Sequence, residues 1–422
     1  MVDAARASGR AGRQAVFEVF GRQLPPGRRF GVVAGTHRLL DAIENFHFGE
    51  EELAFLSDHH IVSDETLSWL STYRFSGTIR GYGEGEVYFP GSPILTVEGT
   101  FGEAVLLETL ILSVLNYDSA VASAAARMVH ASDHRELIEM GARRASEYSA
   151  VAAARAAYIA GFSATSNLEA GRLYGIPTRG TAAHSFTLVH DNEEEAFAAQ
   201  VASMGTNTTL LIDTYDIAQG VERAIRVAGT ELGAVRIDSG DLPVVVAKVR
   251  AQLDSLGATK TGIVVTNDLN EYTIAGLRGS PVDVFGVGTS VVTGSGAPAV
   301  GLVYKLVART SDTGEWVSVA KKSAQKANPG GKKTAYRARD KGVATEEIVT
   351  IGPAPTPPAG ARVLEEVLVE EGIRSQAHSA PELVARAREL HQASIAELPE
   401  AAFSLSPGDP ALPTRFLDQG AG

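Results

Sequence analysis

The chain has 422 residues, 44% of them hydrophobic and 21% charged, a length that allows about two to three domains around a large core. The absence of cysteine excludes disulfides, thiolate metal sites and a cysteine nucleophile, and accords with a reducing, cytoplasmic setting. A formal net charge of -12 argues against a nucleic-acid surface, which needs clustered positive charge, yet leaves room for an anionic small substrate in a local basic pocket.

The opening "MVDAARASGR" has no signal-peptide core, and no apolar run approaches the roughly 18 residues of a membrane helix, so no membrane association is expected. "RRFGVVAGT" and "GTIRGYGEGEVYFPGSPILTVEGTF" are rich in Val, Ile, Tyr, Phe and Thr between Gly and Pro, which predicts strands. "GEAVLLETLILSVLNYDSAVASAAARMV" is long and Ala/Leu-rich and predicts helix with one or two breaks; "EYSAVAAARAAYIAGF" predicts another, stopping at Gly161. From Pro177 to about Leu306 short apolar strands ("TLLID", "AVRID", "GIVVT", "VDVFGVG") alternate with helical segments. Ile217, Val221, Ala224, Ile225 and Ala228 recur at helical spacing, as do Leu242, Val245, Val246, Val249 and Leu253. Such alternation implies parallel strands with helical crossovers. Past "GLVYKLV" come a strand "EWVSVAKKS", a basic loop "KKSAQKANPGGKK", a Pro-rich run "GPAPTPPAGA" that reads as a linker, and a helix near 380–393.

The predicted strands end in small or ionisable clusters: "TAAHS", "DTYD", "DSGD", "TNDLN" and "GVGTS". In a parallel β/α barrel all such ends share one face, where the active site lies. In "VRIDSGD", Arg236 is suited to a carboxylate or phosphate, and Asp238 and Asp241 to ribose hydroxyls or Mg²⁺; the alternative is that the Asp residues only cap the next helix. Gly286, Gly288 and Thr289 offer exposed amides to a phosphate, in a context that is neither a Walker loop nor a dinucleotide fingerprint. Asp213, Asn267 and Asp268 are further polar strand-end candidates, whereas Asp216 reads as a helix cap. His184 stands among Gly180, Thr181, Ala182, Ala183 and Ser185, either as a buried, satisfied imidazole or as a functional one. The ten histidines show no zinc-site spacing, so no protein-held metal is expected; Mg²⁺ would enter with a phosphorylated substrate.

Several stretches, in order over nearly the whole chain, resemble nicotinate phosphoribosyltransferases: "FEVFGRQLPPGRRFGVVAGT", "FSATSNLEAGRLYGIPTRGTAAHSF", "LLIDTYDIAQGVERAI", "VRIDSGDL", "VTNDLNEYTIAGL" and "VDVFGVGTSVVTGSGAPAVGLVYKLV". The resemblance implies an α/β protein of the type II phosphoribosyltransferase fold. Its N-terminal α/β sandwich-like domain would be 1–125 with 310–422 as C-terminal extension, and its irregular parallel α/β barrel, 126–309, would carry the active site. It implies a cytoplasmic homodimer with shared active sites that joins nicotinate to phosphoribosyl pyrophosphate with coupled ATP hydrolysis, on the way to NAD. His184 matches the histidine the family phosphorylates, making it a phosphohistidine. Thr181 and Arg236 match the nicotinate-holding positions, and Arg143 a basic residue near the pyridine ring. Asp213 and Asp238 match polar positions around the ribose, and Gly288 and Thr289 the phosphate loop. Ala182 stands where the nicotinamide enzyme has an acidic residue, which favours a carboxylate substrate over a nicotinamide-specific relative. A quinolinate-specific relative is disfavoured by chain length and by the lack of a dense Arg/Lys cluster. The family's N-terminal Thr-Asp-x-Tyr segment has no counterpart before Met1, so a non-catalytic nucleotide-binding or dimerising homologue is the alternative.

Overall fold

The computed structural model describes residues 1–320, 329–352, 357–375 and 377–418. Most of the basic loop (321–328) and part of the Pro-rich run (353–356) lie outside the described residues. The chain divides into two compact units, Met1–Ser123 with Ala299–Gly422, and Ala124–Pro298.

The first unit is built on an antiparallel seven-stranded sheet. Its order is Trp316–Ser318, Leu302–Thr310, Gln14–Gly21, Leu95–Thr100, Thr78–Tyr82, Glu365–Glu370 and Ile373–Arg374. Gln14–Gly21 is buried along all but its first residue, as a central strand covered on both faces must be. Phe17 stacks on Tyr304 at 4.7 Å between ring centroids within that core. Leu302–Thr310, which the sequence pattern attaches to the barrel, pairs instead with Gln14–Gly21 in this sheet. A second sheet of four strands, ordered Ala361–Val363, Lys333–Asp340, Val343–Ile351 and Thr414–Asp418, has no counterpart in the sequence reading. The Pro-rich run is therefore not a linker between domains: the strands on either side of it, Val343–Ile351 and Ala361–Val363, belong to one sheet. "RRFGVVAGT" yields only the two-residue strand Gly31–Val32 before a helix begins at Thr36.

The helix Glu108–Ala131 is, among the described residues, the one long and apolar enough to cross a membrane. In its most apolar window 67% is buried inside the protein, the behaviour of a core helix.

The second unit holds a parallel sheet of six strands: Ala164–Thr165, Glu136–Glu139, Val284–Val287, Gly262–Val265, Ala234–Ile237 and Thr209–Leu211, in that spatial order. A single parallel bridge from Thr165 to Thr178 extends it by one residue pair. The crossover helices Ile217–Ala228 and Leu242–Ser255 bury Val221, Ala224 and Ala228, and Leu242, Val246, Val249 and Leu253. Ile217, Ile225 and Val245 are only half-buried, on the margin of the apolar stripes. The sheet curls as a parallel half-barrel, and every strand delivers its C-terminal end to the same side.

Candidate active site

At that end lies a cavity of about 570 Å³, lined entirely from the second unit. Arg236 is its organising cation. It points from the strand Ala234–Ile237, and its Nε–H donates to Thr266 Oγ1 at 2.8 Å. Its Nη1 donates to the Thr181 hydroxyl and, at 3.3 Å, to the Ala182 carbonyl, while Nη2 lies 3.3 Å from Asp238 Oδ2. Thr266 in turn donates to Asp238 Oδ1 at 2.5 Å, so threonine, arginine and aspartate lock one another in place. The guanidinium is only 12% exposed, where such charge-assisted contacts hold a side chain firmly.

His184 opens the short helix His184–Leu188 and remains 41% exposed, so it is not a buried core histidine. Its Nδ1 is 3.1 Å from Thr214 Oγ1, and its Nε2 is 3.8 Å from both Asp213 Oδ1 and Asp238 Oδ2. Asp213 is almost fully buried behind the imidazole. Its Oδ2 accepts from the Asp238 N–H at 2.8 Å and the Ser239 hydroxyl at 2.7 Å, while its Oδ1 has no hydrogen-bond partner among the described residues.

Gly286, Gly288, Thr289, Asn267 and Asp268 line the cavity from the neighbouring strand ends. Gly286 is required by space: a Cβ there would stand 2.7 Å from Thr266 Cγ2 and 2.8 Å from Met140 Sδ. Arg143 lines the wall from the 3₁₀ turn Ala142–Arg144 together with Arg144, and neither guanidinium has a side-chain partner among the described residues. Asp241 is not brought to the cavity. It is exposed at the N-cap position of Leu242–Ser255, and its side chain makes no cap bond. Asp216 caps Ile217–Ala228, its Oδ1 accepting from Gln219 N–H at 2.9 Å.

Sequence patterning misses Thr214, Thr266, Arg144, Ser166, Met140 and Glu139. Thr266 was legible in principle as the polar residue closing "GIVVT". Glu139, which closes a strand of only four residues, and Ser166, which follows one of two, were not, because such short strands show no period.

A family model for the nicotinate phosphoribosyltransferase (NAPRTase) N-terminal domain matches residues 1–116, and one for the NAPRTase family matches 135–347. The nicotinate phosphoribosyltransferase pncB1 of Mycobacterium tuberculosis is 52% identical over 428 residues, covering 99% of this chain and 93% of that protein. The nicotinate phosphoribosyltransferase of Bacillus subtilis is 38% identical over 337 residues, covering 77% and 68%. The crystal structure of human nicotinic acid phosphoribosyltransferase superposes with a TM-score of 0.82 at 25% identity, covering 100% of this chain and 96% of that one. A parallel half-barrel whose strand ends gather arginines, carboxylates and a glycine loop is the architecture of the type II phosphoribosyltransferases. Within that class, the chain belongs to the nicotinate phosphoribosyltransferase family.

Proposed function

We infer that this chain transfers the phosphoribosyl group of phosphoribosyl pyrophosphate to the ring nitrogen of nicotinate, giving nicotinate mononucleotide and pyrophosphate on the way to NAD. The observation that carries the reading is Arg236, clamped between Thr181 and Asp238 at the mouth of the half-barrel. The second Nη2–H, beyond the contact to Asp238, and the Thr181 hydroxyl, which accepts from Nη1 and keeps its own proton, are the donors left for a carboxylate, and Ala182 supplies no side-chain carboxylate to hold an amide instead. The ring nitrogen attacks the anomeric carbon as the C–O bond to pyrophosphate breaks. In this reading Asp238, on the cavity wall, stabilises the positive charge that develops on the ribose, and the backbone amides around Gly288 and Thr289, on the same wall, take the phosphates. Mg²⁺ enters as part of the phosphorylated substrates; Asp238 and Asp268 on the cavity wall are oxygen donors suited to completing its shell.

The coupled reaction assigns His184 the role of phosphoryl carrier. Its Nδ1 is tethered to Thr214, which leaves Nε2 to attack the γ-phosphorus of ATP with release of ADP; water later hydrolyses the P–N bond. The chain acts as a cytoplasmic homodimer with shared sites. Exposed Tyr148, Leu168, Leu188, Val189 and Tyr215 support the dimer alone, each within five residues in sequence of a group in or against the cavity.

The test is incubation with γ-labelled ATP and Mg²⁺, beside product formation from nicotinate, nicotinamide and quinolinate with and without ATP. Nicotinate should be the preferred acceptor, and the protein should carry a label lost in acid and stable in base. His184→Asn should abolish the label and the ATP stimulation while a slow ATP-independent transfer persists. Label on His184→Asn at the parent level would assign the carrier role to another residue.

A further inference from the structure

Glu139 is fully buried at the end of Glu136–Glu139, directly below the cavity wall, and the reaction just described gives it no task. Its carboxylate ties a turn to the end of the neighbouring strand Ala164–Thr165. Oε1 accepts from the Gly141 N–H, which begins the turn bearing Arg143 and Arg144. Oε2 accepts from the Thr165 hydroxyl at 2.6 Å, and that hydroxyl accepts from Asn167 N–H at 3.0 Å. The Glu139 carbonyl accepts from Ser166 N–H at 2.8 Å, and the Thr165 carbonyl accepts from Arg179 N–H at 2.9 Å, two residues before Thr181. The side chain therefore ties the di-arginine turn to Thr165, whose backbone carbonyl in turn holds Arg179, two residues before Thr181.

The turn has little freedom of its own to offer instead. A Cβ on Gly141 would stand 2.3 Å from Val292 Cγ1 and 2.8 Å from the Gly288 carbonyl, so the turn is pressed against the phosphate loop. The Arg144 N–H closes it by donating to the Gly141 carbonyl at 2.8 Å. Among the described residues the two arginines it carries are the cavity guanidiniums without a side-chain partner, whereas Arg236 is engaged on three sides by Thr181, Thr266 and Asp238. A carboxyl is costly at this depth: burial pushes its ionisation above the ordinary range, against the pull of its two hydrogen bonds.

We propose that Glu139 is a positioning residue for substrate anion binding: it fixes the Gly141–Arg144 turn so that Arg143 and Arg144 face the phosphates of the phosphoribosyl substrate. The proposal rests on the transferase reading, and its test is arranged to fail separately from it. Absence of turnover by the unsubstituted chain would count against that reading. The positioning role is read from equilibrium binding of phosphoribosyl pyrophosphate, measured by calorimetry beside steady-state rates. Glu139→Gln keeps size and the acceptor for Gly141, but its amide nitrogen offers no acceptor to the Thr165 hydroxyl. It should weaken binding and raise the KM for phosphoribosyl pyrophosphate about tenfold, the scale of one displaced charged hydrogen bond, with kcat changed by less than about threefold. The increase should vanish when Glu139→Gln is made in an Arg143→Ala/Arg144→Ala background, because the groups it positions are gone. An equal increase in both backgrounds, or unchanged binding by Glu139→Gln, overturns the proposal. Should Glu139→Gln not fold, Thr165→Val removes one of the two donors to the carboxylate and carries the same expectations in both backgrounds.

Discussion

Replacing Arg236 by lysine keeps the charge and removes the fork. The guanidinium uses three nitrogens for contacts to Thr266, Thr181, the Ala182 carbonyl and Asp238. A lysine ammonium is one nitrogen, so it cannot span Thr266 on one side and Thr181 on the other. Thr181 then loses the donor that orients its hydroxyl, and the planar edge presented to nicotinate is lost as well. A charge-assisted hydrogen bond in a largely dry site contributes on the order of 1.5–3 kcal/mol, about one to two decades in affinity. Arg236→Lys should therefore raise the KM for nicotinate about 10- to 100-fold. The KM for phosphoribosyl pyrophosphate should stay within about threefold, because Asp238 keeps a cation beside it. Initial rates with each substrate varied against saturating amounts of the other give both constants. An unchanged nicotinate KM removes Arg236 from carboxylate recognition, and equal increases in both constants make it a brace for the whole cavity.

Gly286→Ala forces a methyl to within 2.7 Å of Thr266 Cγ2, and the branched threonine cannot yield without moving its bonds to Arg236 and Asp238. We expect a stability loss of about 1–3 kcal/mol in denaturant titrations together with a raised nicotinate KM; a variant unchanged in both would show that the floor yields through Met140 alone. His391 is buried with Nδ1 3.1 Å from the Gly85 carbonyl, and burial lowers its pKa from 6.5 to about 4. The unfolded chain then takes up its proton first, so its contribution is intact above pH 6.5 and is lost as pH falls towards 4, by about 3 kcal/mol in all. His391→Gln should flatten the fall in melting temperature over that window; an unchanged slope would place the acid sensitivity elsewhere.

Sequence alone determined the parallel β/α pattern of 209–287 and the polar groups at its strand ends. That is because a buried parallel strand must be an apolar run and its crossover helix must repeat at 3.6 residues. It brought forward Arg236, Asp238, Asp213 and His184, whose types carry their chemistry wherever they sit. It did not separate Asp241 from Asp238, three residues apart in one loop, because which of them faces the cavity is set by the turn between them. The short strands Glu136–Glu139 and Ala164–Thr165 carry too few residues to show a period, and their sheet partners lie far off in sequence. The function of Glu139 follows from that tertiary placement: the carboxylate binds Gly141 two residues away and Thr165 twenty-six residues on. Only the fold brings that turn and that strand end side by side, and burial with no cation beside it among the described residues is what makes such a carboxylate hold to its two donors.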